Sequence, residues 1–394
     1  MTIMCKYKIL YIVSHPIQYQ APLLRLIAES NNIDITVAFY WNKKSDAHFD
    51  AGFGKKIIWD IPLLSGYQYI YLSDSKYKLK KLWELISSKK YNIIWTHGYA
   101  DLYTFSAIAF AKINRLKIFV RGESLYFLNE KPNLKKILFF KMLNKLVDRF
   151  LAIGENNKNF YIQNGIASHK IFLCNYAVDN DFFKKKYFEI KNKLAEYRNQ
   201  LNLDVTRPII LYASKFLNRK HAMDLLDAYI LLSEHNTEPK PYLLLIGTGE
   251  AYDDVAKKAK NTKWDSIRFL GFKNQSELPV YFALADIFVL PSTRENWGLV
   301  VNEAMNAECA VIVSDQVGCA VDLIQNGENG YIYPARDIHM LATHLKYLIF
   351  HSEKCEKMKI KSAAIISHWG LKESILGLHA ACRSLTCDEN NESF

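Results

Sequence analysis

Along the chain, short apolar runs alternate with stretches whose apolar positions recur at helical spacing. That alternation marks α/β units that build a parallel sheet. In the first half the predicted strands are residues 9–13, 33–39, 57–59, 93–95, 118–120 and 150–153; in the second they are 209–213, 242–246, 267–270, 287–290 and 311–313. Between the two sets, residues 184–201 are rich in Lys, Glu and Asn, with few large apolar side chains. The strand count and this break predict two Rossmann-like domains with a cleft between them. The expected boundaries are 1–185, a linker at 186–205, and 206–365, then a C-terminal helix at 366–394 that packs back toward the first domain and ends in a polar tail. At 394 residues the chain is long enough for two cores.

The run at 287–290 closes on Pro291-Ser292, so it reads as a buried strand ending in a turn. It is followed by Glu295-Asn-Trp-Gly-Leu-Val-Val-Asn-Glu303 and an apolar pattern of helical period. Glu295 is therefore expected in a strand-to-helix loop, and Glu303 one to two turns into the helix. Open parallel sheets bind ligands at the carboxyl ends of their strands. The N–H groups of Trp297, Gly298 and Leu299 would lie near the helix start, where anions are favoured. Carboxylates for sugar hydroxyls beside amides for phosphate describe a nucleotide-sugar site. The plainer alternative is a solvated helix carrying two ordinary glutamates.

Charge adds a second feature. Residues 1–200 hold 31 Lys and Arg against 16 Asp and Glu, a net of +15, whereas residues 201–394 hold 20 against 24, a net of −4. A polyanionic surface is expected to face the first half only, either anionic lipid or nucleic acid. Two stretches, 75–90 and 131–149, combine lysines with Leu, Phe and Trp at helical spacing, the composition of helices lying on a membrane. Core-packed helices with a solvated lysine face are the alternative. No apolar run approaches the ~20 residues that span a bilayer, and the start lacks the pattern of a signal peptide. Seven scattered cysteines without a Cys-x-x-Cys pair point to reduced thiols in a cytoplasm.

With these residues in view, the second half resembles glycosyltransferase family 4, retaining enzymes of the GT-B fold. The resemblance runs through Ala213-Ser-Lys-Phe-Leu-Asn-Arg-Lys220, Leu243-Leu-Leu-Ile-Gly-Thr-Gly-Glu250, Phe269-Leu-Gly-Phe272, the two-glutamate segment, and Gly318-Cys319 to Gly330. It implies that Lys215 and Lys220 neutralise the donor diphosphate, that Glu303 accepts from ribose hydroxyls and that Glu295 accepts from the donor sugar. Gly247 and Gly249 would permit close backbone approach, and the base would be read near Phe272 and Lys273. Ser214-Lys215 stands where the family has Gly-Arg, and Cys319 where it has a second glycine. In the first half, Ser14-His15-Pro-Ile-Gln-Tyr-Gln-Ala-Pro-Leu-Leu24 resembles a subgroup acting in bacterial surface polysaccharide (O-antigen or capsule) synthesis. His15 would contact donor phosphate or acceptor, and His97 corresponds to a family histidine. Glu123 would orient donor sugar or acceptor hydroxyl, and Arg121 would bind phosphate or pair with a carboxylate.

Asp179-Asn-Asp181 has the form of a metal-binding pair, but it lacks the surrounding pattern, and neither a catalytic metal nor another cofactor is expected. A sugar-nucleotide epimerase of the same architecture is one alternative, and a basic nucleic-acid-binding protein without catalysis is another. The basic segments show no recognised nucleic-acid module, and nucleic acid is not expected as a partner. The expectation is a metal-independent, hexosyltransferase-like enzyme, peripheral on the inner face of the cytoplasmic membrane. It would move a sugar with retention from a nucleotide diphosphate to a membrane-anchored acceptor: a lipid-linked, lipopolysaccharide or capsular glycan. Residues 75–90 and 131–149 would meet the anionic lipid.

Overall fold

Runs such as Ile-Leu-Tyr-Ile-Val at 9–13 and Ile-Phe-Val-Leu at 287–290 offer apolar side chains to both faces, so they suit parallel strands covered on both sides. The computed structural model, which describes residues 7–41, 48–50, 52–74, 76–125, 133–234, 240–262 and 264–391, contains two such sheets. Residues 1–6, Ser75, Lys131 and Pro132, on which parts of the sequence reading rest, lie outside the described residues. One unit comprises residues 1–46, 62–177 and 370–394, the other 47–61 and 178–369.

In the first unit seven parallel strands lie in the order Gln68–Tyr71, Ile33–Phe39, Tyr7–Val13, Ile93–His97, Lys117–Arg121, Arg149–Ala152 and Ile171–Leu173. The chain builds outward one way from Tyr7–Val13, then starts again on its other side with Ile93–His97. Such a switch point leaves a crevice at the carboxyl ends of those two strands. Helices Lys78–Ser87, Leu102–Ile113, Leu134–Leu146 and Glu155–Gln163 cover one face, where Leu82, Ile86, Ile108, Phe140 and Phe160 share a core with Leu10, Ile94 and Val120. The last helix, Leu371–Asn391, belongs to this unit, where the Arg149 Nε–H donates to Ser384 Oγ at 2.6 Å and the Cys174 thiol to the Ser374 carbonyl at 3.2 Å.

The second unit repeats the plan with six parallel strands in the order Ile267–Gly271, Tyr242–Ile246, Ile209–Ala213, Ile287–Leu290, Ala310–Ser314 and Gly330–Tyr333. Its switch point lies between Ile209–Ala213 and Ile287–Leu290. Leu226 and Tyr229, Leu345, and Met358 bring three helices onto one face of this sheet.

Several elements differ from the sequence reading. Residues 57–59 do not form a strand of the first sheet. Ile57 ends a short antiparallel hairpin, His48–Asp50 with Lys55–Ile57, which belongs to the second unit. Three-residue strands beside Lys55 and Lys56 are too short and too polar to act as a buried parallel strand. The sequence pattern does not predict strands Gln68–Tyr71, Ile171–Leu173 and Gly330–Tyr333; all lie at sheet edges, where half-exposed side chains weaken the apolar signal. Where a linker was expected, helices Asn180–Lys191 and Leu194–Gln200 form part of the second unit. Phe183, Tyr187 and Ile190 make the buried stripe of the first of these, masked in sequence by the three lysines at 184–186. Asp179 caps that helix, accepting from the Phe182 N–H at 3.0 Å, which gives the Asp-Asn-Asp segment a structural role.

Of the two lysine-rich stretches, helix Lys78–Ser87 buries Leu82 and Ile86 and packs Trp83 edge-on against Phe110. Helix Leu134–Leu146 buries Phe140 and Leu143 but presents Leu134, Leu138 and Met142 to solvent at a spacing of four, among the exposed Lys135, Lys141 and Lys145. Among the described residues no helix is long and apolar enough to cross a membrane.

Candidate functional site

In the second unit the loops leaving the two switch-point strands carry most of the predicted site. The Glu295 loop is fixed by its own backbone. Its N–H donates to the Gln316 carbonyl at 3.1 Å, its carbonyl accepts from Gly318 at 2.9 Å, and the Cys319 N–H donates to Trp297 at 3.0 Å. Gly298 turns the chain into helix Leu299–Asn306 at φ +96°, a left-handed conformation that side chains disfavour. A Cβ there would come within 3.0 Å of Leu290 and 3.2 Å of Val317. Among the described residues no side chain caps this helix, and the N–H groups of its first turn favour an anion. The Trp297 indole is buried, donating to Asn302 Oδ1 at 2.9 Å and stacking on Trp369 at 5.5 Å.

From the neighbouring strand, the loop Ser214–His221 supplies three cations. Lys220 is buried and donates to the Glu295 carboxylate, and Arg219 reaches the same oxygen at 3.3 Å. Burial drives the Lys220 ammonium below its ordinary range, against the pull of Glu295. Glu303 sits one turn into the helix. It keeps some surface exposure, yet protein surrounds its carboxyl, and this desolvation pushes it up to about 8. No hydrogen bond or ion pair to Glu303 occurs among the described residues. A carboxyl so enclosed by protein is suited to exchanging hydrogen bonds with the hydroxyls of a ligand.

Lys215 has a different partner. Its ammonium donates to both oxygens of Asp50 at 2.9 and 3.0 Å, while the N–H groups of Gly52 and Phe53 donate to Asp50 Oδ1. Burial opposes the Asp50 charge, but these donors hold its carboxyl below the usual range. Beyond Asp50, the segment 52–61 runs over the carboxyl ends of the sheet. The Thr248 hydroxyl donates to Phe53, the Asn274 amide to Ile58 and the Ser276 N–H to Asp60. Phe272 meets Phe53 edge-on at 4.9 Å, with the Lys55 ammonium 4.0 Å from its centroid. Lys273 pairs with Glu277 at 3.4 Å and lies over the Tyr281 ring. Gly247 and Gly249 do permit close approach, but to protein backbone. A Cβ on Gly247 would overlap the Ser214 carbonyl, and one on Gly249 would crowd those of Phe216 and Gly52.

The first unit holds its own polar cluster at its switch point. His97 ends its strand, and its Nε2 lies 3.1 Å from Glu123 Oε1; the Tyr176 hydroxyl donates to that same oxygen. The Gln20 amide nitrogen lies 3.4 and 3.5 Å from the two His97 ring nitrogens, and its oxygen accepts from the Tyr11 hydroxyl at 3.0 Å. Arg121 is not a surface phosphate ligand: it is buried, donates to the Cys174 carbonyl and lies 4.8 Å from the Tyr176 ring centroid. His15 follows Tyr7–Val13, bonded to Ser14 at 2.8 Å and stacked on Trp41.

Sequence reasoning thus gathered Lys215, Lys220, Glu295 and Glu303 in one unit and His15, His97 and Glu123 in the other. It passed over Arg219, which lies inside a segment already singled out, and Gln20, which lies in another. Asp50 and Tyr176 carried no local signal, since only the fold brings them to their partners.

Comparison with known proteins agrees with these two sheets. Residues 194–364 match the family described as Glycosyl transferases group 1. The N,N'-diacetylbacillosaminyl-diphospho-undecaprenol alpha-1,3-N-acetylgalactosaminyltransferase of Campylobacter jejuni is 26% identical over 269 residues, 66% of this chain and 68% of that protein. The capsular polysaccharide biosynthesis glycosyltransferase CapM of Staphylococcus aureus is 26% identical over 201 residues, 50% of this chain and 51% of that protein. Against the latter the chain spans about half the relative's length. Among solved structures, Anabaena HepE in complex with UDP superposes with a TM-score of 0.74 over 96% of this chain and 100% of that one, at 16% identity, a likeness of fold. The family match, these relatives and the shared pair of Rossmann-like domains support a glycosyltransferase enzyme of the GT-B fold.

Proposed function

We propose that the protein is a retaining, family 4-type glycosyltransferase, hexosyltransferase-like and independent of a metal or other cofactor. It moves a sugar from a nucleotide diphosphate onto a membrane-anchored glycan during bacterial surface polysaccharide synthesis. The observation that carries this reading is the buried Lys220–Glu295 pair in the loops leaving the switch-point strands of the second sheet, with the desolvated Glu303 carboxyl on the helix that follows. An incoming diphosphate competes for Lys220, and the N–H groups at Gly298 and Leu299 add partial positive charge. Released from Lys220, Glu295 accepts from donor-sugar hydroxyls, while Glu303 takes the ribose. As the diphosphate departs its charge rises, and Lys220 with Arg219 stabilises it. Lys215 joins them when Asp50 gives way.

In the first unit His97 and Glu123 bind sugar hydroxyls, with His15 near phosphate or acceptor. The name of the Campylobacter relative includes a diphospho-undecaprenol substrate, which supports a lipid-linked acceptor here. The exposed Leu134, Leu138 and Met142 among lysines suit the anionic inner face of a membrane. The epimerase and nucleic-acid readings gain no support from the Campylobacter and Staphylococcus relatives, both named as transferases.

Thermal unfolding with UDP-, GDP-, ADP-, CMP- and dTDP-sugars tests the donor site. A ligand at a hundred times its dissociation constant adds about 2.7 kcal/mol. One nucleotide class is expected to stabilise the native protein and to lose most of that effect in Glu303→Ala. Equal stabilisation of the variant, or none by any nucleotide sugar, contradicts the assignment.

A further inference from the structure

Arg121 is 1% exposed, its Nε–H has no hydrogen-bond partner, and no carboxylate pairs with it directly among the described residues. A cation so placed needs a compensating anion nearby. The groups facing it are Tyr11, Tyr176, Cys174 and Glu123, with His97, Gln20 and Tyr19 around them. Burial drives the phenols of Tyr11 and Tyr176 well above their ordinary range, so both stay neutral. That leaves Glu123 as the carboxylate of the cluster. Tyr176 stands between the two charges, its ring against the guanidinium and its hydroxyl donating to Glu123 Oε1.

We propose that Tyr176 is a positioning residue that links the buried Arg121 to Glu123, holding that carboxylate in place and aimed to accept a sugar hydroxyl. Gln20, held by Tyr11, steadies the His97 ring on the same oxygen. The contacts of Tyr176 and His97 on Glu123 Oε1 hold the carboxylate in one orientation. Glu123 and His97 retain 31% and 13% side-chain exposure, so the cluster opens outward at these two residues over a buried floor of Tyr11, Gln20, Tyr176 and Arg121. The inference rests on the transferase reading. The hydroxyl comes from the donor sugar or from the acceptor sugar, and the same chemistry serves both.

The test compares Tyr176→Phe and Glu123→Gln with the native full chain, reading kcat/KM against pH, the KM of each substrate and the affinity for the free nucleotide diphosphate. In Tyr176→Phe the acid limb of the profile is expected to move up by about one pH unit, because the carboxylate has lost a donor. Glu123→Gln should lose that limb and most of its turnover, and nucleotide diphosphate affinity should stay native in both. A raised KM for the donor identifies the donor sugar as the source of the hydroxyl; a raised KM for the acceptor identifies the acceptor. A native pH profile and native KM values in Tyr176→Phe overturn the proposal. Should that variant not fold, Glu123→Gln decides: a retained acid limb overturns the proposal and a lost one supports it. Failure of the native protein to bind nucleotide diphosphate at all would instead strike the transferase reading.

Discussion

At Glu303 the chemical effect of desolvation falls on a single side chain. Its carboxyl is pushed up to about 8 by desolvation alone, from an ordinary 4.5, with no cation to offset it. A carboxyl whose folded pKa is raised binds more protons in the native state, so stability falls as pH rises from about 4.5 through about 8. Glu303→Gln removes that dependence. Its melting temperature relative to the native protein should rise between pH 5 and pH 8.5; a constant difference across the range would show that the carboxyl is not desolvated. At this scale the sequence was readable where chemistry is local. The spacing from Glu295 to Glu303 placed one carboxylate in the loop and the other a turn into the helix, as found. Partners that converge from distant segments, such as Asp50 on Lys215 and Tyr176 on Glu123, leave no trace in either neighbourhood.

Among the elements, segment 48–61 has the clearest consequence. It leaves the first half of the sequence, forms a hairpin in the second unit and sets a carboxylate on the cation proposed for the donor diphosphate. Asp50 and a diphosphate cannot both hold Lys215 fully, so the two compete. Asp50→Asn should therefore tighten nucleotide diphosphate binding roughly fivefold, matching the ~1 kcal/mol of a partly exposed ion pair. Calorimetric titration reads this directly, and weaker binding would mean that Asp50 helps to build the site. Buried central strands were legible because both faces demand apolar residues, as at 209–213 and 287–290. The hairpin and the edge strands were not, because three or four half-exposed residues carry little pattern. Helix Asn180–Lys191 read as a linker for a related reason: charge on its outer face outweighed three buried side chains.

The whole molecule has two parallel-sheet units and a charge that is uneven along the sequence. The basic excess lies within residues 1–200, and the exposed Leu134, Leu138 and Met142 belong to that half. A protein that takes a soluble anionic donor and an acceptor held in anionic lipid would benefit from that asymmetry. The reaction proposed is sugar transfer with retention onto such an acceptor. The most direct measurement supplies the stabilising nucleotide sugar with a polyprenyl-diphospho-sugar in anionic or neutral vesicles, and follows the anomeric signal of the product by NMR. A new glycosidic bond with the donor's anomeric configuration is expected, formed faster on anionic vesicles. An inverted linkage, or release of free sugar and nucleotide without transfer, would contradict it.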